Sequence, residues 1–492
     1  MRKDSFIFFQ AMRNGFSGCA AIPLCLCIAA AAAPCASIAD SVSAYLSQRG
    51  YKPSNVGIII KKLGTDSILV ALNEQQRFNP ASVSKLVTAS AAIDLLGVDY
   101  RFATTVFIDG ALDRDSGRVR GNLYIRGGGD PGFLAERLWL FVQHLAHLGI
   151  RRIERDLVLD DSFFDASTQG PGFDEDKSSR AYEAPTAALS ASFNTVAVHV
   201  APGTVVGSPV QIHTLPRISG VKIVATALTM PAGAPSDIQV TTEKMDGKTA
   251  ILVYGGMNID AKPRYIYRKV WETWENFGWV MQGLFEECGI RLDGKVRHGV
   301  VPDSLKAAGP LYTFESQPLF EFIGHMFKVS SNFAAEMVFK TIAAHTTSRP
   351  GSWSAASEIV GQWWTECGLP GSIKVMNGSG MGNGNRISAL QIAALLERVW
   401  SNKAVAPDFI SALPIAGVDG TLEKRFGASQ LKGIMRAKTG TLNNYGVSTL
   451  AGFVFLGADT YVFAILMNNS GADQYKHWES QQKILEMVFA KH

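Results

Sequence analysis

Residues 79–85 have the sequence NPASVSK, and this stretch predicts the start of a helix. Asparagine is a favoured N-cap, and proline suits the first helical position because it lacks an N–H that would otherwise stay unpaired. Ser82 and Lys85 would then lie three residues apart on one helical face. A serine hydroxyl is a weak nucleophile that needs an adjacent base, and a lysine amine can be that base when burial lowers its pKa. Taken alone, the stretch fits an ordinary helix start with an exposed lysine better.

Two further short motifs follow, and each also has an ordinary explanation. Ser330-Ser331-Asn332 precedes an apolar helical pattern, where serine or asparagine commonly serves as the N-cap. Lys438-Thr439-Gly440-Thr441 lies where a strand would meet a turn. In the functional interpretation, the lysine and the threonine hydroxyl hold a substrate carboxylate, and the glycine lets a ligand backbone lie against the strand edge. The order and combination of the three motifs are more informative than any one of them.

The rest of the sequence predicts one α/β domain interrupted by a β-rich insert. A short helix, two strand-like runs and the helix that begins at Asn79 come first. From about residue 102, short strand-like runs alternate with Gly and Asp turns. Longer helical patterns, beginning with 265–288, follow a seam at 262–264, and two strand-like runs precede a closing helix. The predicted bounds are a signal segment at 1–39, a first catalytic part at 40–101, the β-rich insert at 102–264 and a second catalytic part at 265–492.

The N-terminus predicts a secretory signal peptide. Arg2, Lys3 and Arg13 precede an uncharged apolar run at 20–33, and cleavage after Ala39 would place small residues at the −3 and −1 positions. The run is shorter than a membrane-spanning helix requires. We therefore expect a periplasmic protein whose signal peptide is removed, with a lipid anchor on an early cysteine as the alternative.

Composition and charge limit the classes of binding partner that the sequence predicts. Basic residues number 47 and acidic residues 43, and a net charge of +4 over 492 residues is too weak to predict a nucleic-acid partner. Beyond the signal segment the cysteines are Cys288 and Cys367, and the sequence leaves open whether they form a disulfide. A stripe of large apolar residues from Trp271 to Leu284 predicts core packing, with a peripheral membrane patch as the alternative. We expect membrane association to be at most peripheral.

Together, the three motifs resemble the signature of the penicillin-recognising serine acyl-enzymes, S-x-x-K, S-D-N and K-T-G. In particular, the chain resembles the D-alanyl-D-alanine carboxypeptidases/endopeptidases of the low-molecular-mass class C penicillin-binding proteins, peptidase family S13. Ser82 and Ser330 are 248 residues apart, a gap that this family fills with an insert and that is far longer than in β-lactamases. Further stretches that resemble the family are 126–131, 159–162, 188–190, 377–380 and 417–422.

The resemblance implies a fold and an activity. The fold is a penicillin-binding/β-lactamase-like transpeptidase domain of the α/β (α+β) class, with an antiparallel sheet flanked by helices. The implied reactions are cleavage of D-Ala-D-Ala (carboxypeptidase) and of D-Ala cross-links (endopeptidase) in peptidoglycan. Peptidoglycan stem peptides would be the substrates and β-lactam antibiotics would be covalent inhibitors. Neither a metal nor another cofactor is expected.

The resemblance also implies a role for each motif residue. Ser82 would attack the carbonyl between two D-alanines, Lys85 would be the base, and Ser330 would relay the proton to the leaving amine. The implied substrate-binding residues are Asn332, Lys438, Thr439, Gly440 and Thr441. Among them, Asn332 would orient the acyl-side amide of the substrate, Lys438 would supply positive potential and Thr439 would bind the terminal carboxylate. The backbone N–H groups of Ser82 and Thr441 would form the oxyanion hole.

The sequence departs from the family pattern at two positions. Ser331 stands where aspartate is common, and Asn377 stands where aspartate is usual. Neither residue is a reacting group, but both can change the polarity around the helix start and the loop. The alternatives to a DD-peptidase are a β-lactamase, which must also release penicillin quickly, and a catalytically idle scaffold that binds the cell wall.

Overall fold

The computed structural model describes residues 37–173, 178–215, 218, 220–469, 471 and 473–490. Most of the predicted signal segment lies outside the described residues, and the predicted cleavage site after Ala39 lies in the first turn of the first helix. The helices are α1 (Ile38–Gln48), α2 (Ser84–Leu96), α3 (Ala135–His147), α4 (Trp274–Glu287), α5 (Asp303–Ala308), α6 (Leu319–Lys328), α7 (Asn332–Thr347), α8 (Trp353–Glu366), α9 (Ala389–Ser401), α10 (Ala406–Ala412) and α11 (Gln474–Phe489).

The strands are short in the middle of the chain and longer near its end. They are β1 (Val56–Lys62), β2 (Ile68–Leu72), β3 (Arg77–Phe78), β4 (Arg101–Ile108), β5 (Leu112–Asp113), β6 (Arg118–Val119), β7 (Leu123–Arg126), β8 (Arg152–Ile153), β9 (Leu157–Asp160), β10 (Thr195–Ala201), β11 (Gln211–Leu215), β12 (Lys222–Ala225), β13 (Leu228–Met230), β14 (Gln239–Met245), β15 (Lys248–Tyr254), β16 (Gly256–Asn258), β17 (Arg264–Lys269), β18 (Arg291–Leu292), β19 (Val296–His298), β20 (Tyr312–Pro318), β21 (Ile387–Ser388), β22 (Met435–Leu442), β23 (Val447–Leu456) and β24 (Asp459–Met467).

Strands from both ends of the chain form one antiparallel sheet, in the order β2-β1-β24-β23-β22. The last three strands follow one another along the chain, whereas β1 joins them by pairing with β24, with Ile58 opposite Ile465. Helices lie on both faces of this sheet. The prediction of an antiparallel sheet flanked by helices is therefore confirmed.

The side chains of β1 alternate between two hydrophobic cores. Ile59 packs with α2 and α9 on one face, whereas Ile58 and Ile60 pack with α1 and α11 on the other. This alternation follows from the two-residue repeat of a strand, in which successive side chains point to opposite faces. Each of these fully buried isoleucines contributes about 2 kcal/mol to stability through burial of apolar surface. Burial on both faces explains why the strand is apolar at consecutive positions.

Helices α2 and α7 pack against each other at the centre of the molecule and are buried on nearly all sides. A helix that is apolar all round belongs in a protein interior, so each polar side chain that it carries needs a partner there. Lys85 lies in the first turn of α2, and Glu336 lies in α7; both are almost completely buried. The pairing of these two helices therefore brings charged groups into an otherwise apolar core.

The middle of the chain forms a second group of sheets around a core of its own. Its larger sheet has the order β19-β9-β7-β4-β20, and α3 and α4 pack on the core beside it. In the apolar stripe of α4, Phe277 and Met281 are fully buried in this core. The packing interpretation of that stripe is confirmed for these residues.

One predicted helix differs from the structure, and the packing of the middle region bears on the predicted insert. The helix predicted for 265–288 is wrong in its first part, because Arg264–Lys269 forms β17, paired antiparallel with β10. Alternating aromatic and β-branched residues favour a strand here. The second core also continues past residue 264 to Phe314. The domain bounds stay a prediction, but this packing would place the second end of the insert near Pro318, which pairs with Arg101.

None of the helices in the described part of the chain is long and apolar enough to cross a membrane.

Candidate active site

Ser82 lies in a tight 3₁₀ turn, Ala81–Val83, directly before α2. The Asn79 side chain accepts a hydrogen bond from the Ala81 N–H at 2.9 Å, but the N-cap of the turn is Pro80 and α2 begins at Ser84, so the predicted Asn79 N-cap is wrong. Asn468, which follows β24, accepts from the Asn79 N–H at 2.8 Å and donates to the Asn79 carbonyl at 3.1 Å. The turn that carries the serine is therefore tied to the end of a central strand.

Lys85 is completely buried and lies beneath this serine. Its Nζ is 2.8 Å from Ser82 Oγ, 2.7 Å from Asn332 Oδ1 and 2.9 Å from the Ser379 carbonyl. Burial lowers the pKa of Lys85 to about 7, and the negative charge of Glu336 opposes this shift. Removal from water disfavours the ammonium form, so a neutral amine is available near neutral pH. A neutral amine at hydrogen-bond distance from a hydroxyl can accept its proton.

Glu336 is a buried residue of this site that the sequence motifs did not identify. Its carboxylate accepts hydrogen bonds from the N–H groups of Gly378 and Ser379, at 3.1 and 2.8 Å, and from the Trp353 indole at 2.7 Å. Glu336 therefore holds the loop whose Ser379 carbonyl contacts Lys85. The sequence signal that could have identified Glu336 is an acidic residue within an apolar helical pattern. A carboxylate buried in such a helix requires hydrogen-bond partners, so it indicates a polar site.

The second motif places Ser330 and Asn332 on the same side of the cleft. Ser330 has a φ of 58°, in the left-handed region, and Ser331 caps α7 by accepting from the Ala334 N–H at 3.2 Å. The N-cap interpretation and the functional one are thus both compatible with this segment. Asn332 extends its Oδ1 towards Lys85 and its Nδ2 towards the Tyr182 carbonyl, at 3.1 Å.

Lys438 lies on β22 and is also completely buried. Its Nζ donates to Ser330 Oγ at 2.8 Å and to the Thr439 carbonyl at 2.7 Å. Burial lowers its pKa well below the usual lysine value, and the positive charge of Lys85 adds to this shift. The Thr439 hydroxyl donates to the Thr421 hydroxyl at 2.8 Å, which links the third motif to the 417–422 stretch.

Gly440 permits close contact between β22 and the serine turn. A Cβ at this position would lie 2.9 Å from the Ser82 backbone nitrogen and would also clash with the Thr449 hydroxyl. Any larger residue would push the strand and the turn apart. Thr441 follows on the same strand and lines the cleft together with Ser82.

The cleft above Ser82 has a volume of about 530 Å³. Ser82, Ser330, Asn332 and Thr441 line it, whereas Lys85 and Lys438 lie buried behind it. Its other walls are formed by segments 178–182, 380–382 and 442–445, with Gly172 and Gln474. The structure thus brings together all three motifs, although they are distant in the sequence.

Comparisons with known proteins identify the family of this chain. The model of the D-Ala-D-Ala carboxypeptidase 3 (S13) family matches residues 38–488. A D-alanyl-D-alanine carboxypeptidase of Actinomadura sp. (strain R39) is 30% identical over 441 residues, which cover 87% of this chain and 80% of the relative.

Solved structures show the same similarity. The crystal structure of penicillin binding protein 4 from Haemophilus influenzae matches with a TM-score of 0.79 and 25% identity, over 91% of this chain and 99% of that one. The same protein complexed with a β-lactam matches with a TM-score of 0.73 and 24% identity, over the same shares of the two chains. The chain therefore belongs to the S13 family of peptidases and is a serine D-Ala-D-Ala carboxypeptidase.

Proposed function

We propose that this carboxypeptidase acts through an acyl-enzyme on Ser82, that it also cleaves D-Ala cross-links as an endopeptidase, and that β-lactams acylate the same serine. The observation that carries the proposal is the 2.8 Å contact between Ser82 Oγ and the buried Lys85 amine, whose pKa is lowered to about 7. A serine with a neutral amine at this distance is an activated nucleophile.

In the acylation step, Ser82 Oγ attacks the carbonyl carbon of the penultimate D-alanine and its proton passes to Lys85. The backbone N–H groups of Ser82 and Thr441 stabilise the negative oxygen that forms, at about 3 kcal/mol for each donor. The C–N bond then breaks, and a proton that Ser330 relays neutralises the leaving amine. Water releases the acyl group in a second step and regenerates the Ser82 hydroxyl. In the overall reaction, the peptide and one water molecule give a shortened peptide and free D-alanine.

Lys438 and Thr439 are assigned to the terminal carboxylate of the substrate. Because burial and Lys85 disfavour the ammonium form of Lys438, an arriving carboxylate would favour it again. The electrostatic attraction for the substrate carboxylate would come from Lys438 and its neighbours, since the net charge of the whole chain is close to zero.

Asn332 is assigned to the acyl-side amide of the substrate. It lines the cleft beside Ser82, and besides the Tyr182 carbonyl its Nδ2 contacts only Met381 Sδ at 4.0 Å, a weak acceptor that a substrate carbonyl could replace. The H. influenzae protein has been solved complexed with a β-lactam, which supports β-lactam binding as a proposal for this chain. A periplasmic location follows from the predicted signal peptide at 1–39, and we propose it on that basis.

The decisive experiment is labelling with a fluorescent penicillin, followed by digestion of purified peptidoglycan. We expect wild-type protein to be labelled and Ser82→Ala to be unlabelled. Ser90→Ala is the matched control, because Ser90 is a buried serine of α2, the helix that follows the Ser82 turn, and lies outside the motifs. Labelling that survives Ser82→Ala would refute the assigned nucleophile.

The digestion products separate the remaining alternatives. Release of free D-alanine and loss of cross-linked dimers, measured by mass, would support both activities. Rapid turnover of penicillin with no lasting adduct would indicate a β-lactamase. A protein that binds peptidoglycan but yields neither product would be a scaffold.

A further inference from the structure

The 3₁₀ turn Ala181–Glu183 of the middle region forms one wall of the catalytic cleft. The backbone carbonyl of Tyr182 accepts a hydrogen bond from Asn332 Nδ2 at 3.1 Å. The other end of the same amide, Oδ1, is 2.7 Å from Lys85 Nζ. The Asn332 amide is thus held at both ends, by the base on one side and by this turn on the other.

Directly behind the turn lies an ion pair that is shielded from water. Lys269 Nζ and Glu183 Oε2 are 3.3 Å apart, and their side chains are 3% and 0% exposed. The Lys269 ammonium also lies 4.3 Å from the centre of the Trp271 ring. The Lys269 N–H donates to the Ser179 carbonyl at 3.0 Å, so β17 holds the segment through its backbone as well.

Stability alone does not account for a charged pair at this place. Desolvation of two buried charges offsets most of their attraction, and apolar side chains of similar volume often stabilise a protein as well or better. What the pair does provide is directionality, because an ion pair with hydrogen-bond geometry fixes where the turn lies. The position of the turn then determines the position of the Tyr182 carbonyl.

We propose that Glu183 and Lys269 are positioning residues that orient Asn332, and through it the Lys85 amine, for acylation of Ser82. The inference rests on the proposed function, since it assumes that Lys85 is the base. Without the pair, the turn would shift and the amide could rotate away from Lys85. Displacement of a catalytic group by about 1 Å can cost on the order of 10²-fold in rate.

The test measures acylation by a chromogenic β-lactam in rapid-mixing kinetics, which separates the non-covalent Kd from the acylation rate constant. For Glu183→Gln and Lys269→Met we expect the acylation rate constant to fall at least about tenfold, with the Kd within about threefold of wild type. Lys269→Arg keeps the charge and should restore most of the rate. Thermal unfolding is recorded for every variant.

Glu272→Gln is the matched control. Glu272 is another buried carboxylate of the same region, and it accepts from the Thr249 N–H at 2.9 Å, away from the cleft. We expect this variant to lose thermal stability but to keep its acylation rate constant. The double variant Glu183→Met/Lys269→Met should regain thermal stability without regaining the rate.

Three results would overturn the inference: a rate constant that follows thermal stability across all variants, an equal loss of rate in the Glu272→Gln control, or recovery of rate in the double apolar variant. Failure of the proposed function looks different. In that case the wild-type protein would not be acylated at all, or the Ser82→Ala variant would still be acylated.

Discussion

Lys85 shows how one residue acquires a chemical role from its surroundings. In water a lysine amine is protonated near neutral pH and cannot accept a proton. Here the helix packing removes it from water, and its pKa falls to about 7. Hydrogen bonds that the amine donates to the Ser379 and Asn332 oxygens still hold it in place. Burial therefore sets the protonation state of the Lys85 amine, and the surrounding oxygens set its orientation.

The first prediction concerns the pH dependence of acylation. Only the neutral amine accepts the Ser82 proton, and its fraction falls tenfold for each pH unit below the pKa. We expect the acylation rate constant to rise about tenfold per unit up to about pH 7 and to level off above it. Rapid-mixing kinetics with a chromogenic β-lactam measure this profile. A rate that is constant between about pH 5 and 7 would contradict the assignment of Lys85 as the base.

The motif residues could be predicted because each motif is contiguous and carries a local structural signal. A helix start, an N-cap and a strand end are readable from a few neighbouring residues. Glu336 and Tyr182 were not predicted, because their contacts with the loop at 378–379 and with Asn332 join segments that are distant in the sequence. Tyr182 acts through its backbone carbonyl, which every residue has, so its identity carries no signal.

At the scale of elements, the site depends on how closely β22 approaches the turn Ala81–Val83. The third motif contributes a lysine behind the cleft and a backbone edge beside Ser82. The Thr449 hydroxyl of the next strand donates to the Pro80 carbonyl at 2.8 Å and ties the turn to the sheet. Two strands of one sheet therefore hold the serine from one side.

The second prediction tests this approach with Gly440→Ala. The added Cβ would lie 2.9 Å from the Ser82 backbone nitrogen, so the strand and the turn must separate. Loss of an oxyanion donor costs about 10²- to 10³-fold, and we expect a reduction of that order in the acylation rate constant. Gly361→Ala is the control, because a Cβ there meets no atom within 4 Å and alanine favours a helix. Equal rates for the two variants would refute the importance of this contact.

Most element types in the catalytic parts were readable from periodicity, whereas β17 was not. The tyrosines and the isoleucine of β17 come shortly before the apolar stripe of α4, and no glycine or proline separates the two segments. The apolar spacing of α4 therefore seemed to extend backwards. What decides the strand is its pairing with β10, a contact between segments about 70 residues apart.

The whole molecule has separate hydrophobic cores, and its two described cysteines belong to different ones. Cys288 packs against the core of the middle region and accepts a hydrogen bond from Gln143, at 3.2 Å. Cys367 packs against the core of the catalytic helices, 3.9 Å from an Asp94 oxygen. Both thiols are free in the structure, so the disulfide that the sequence left open does not form here.

The third prediction follows from these positions. A chain that begins at Asp40 should unfold at the same temperature with and without a reductant, and should show two free thiols after denaturation. Burial raises the pKa of both thiols, so alkylation of the folded chain should be slower than that of the denatured chain. A fall in the unfolding temperature on reduction, together with missing thiols, would show a disulfide instead.

The pairing of Arg101 with Pro318 has a consequence for how this chain folds. Residues roughly 200 positions apart are brought into one strand pair, and closing a flexible loop of that size costs about 5 kcal/mol of chain entropy. Once the middle region has folded around its own core, that loss has already been met. In that order of folding, the segments that carry Ser82 and Ser330 would be joined by a short effective connection, which would lower the entropy cost of forming the catalytic centre.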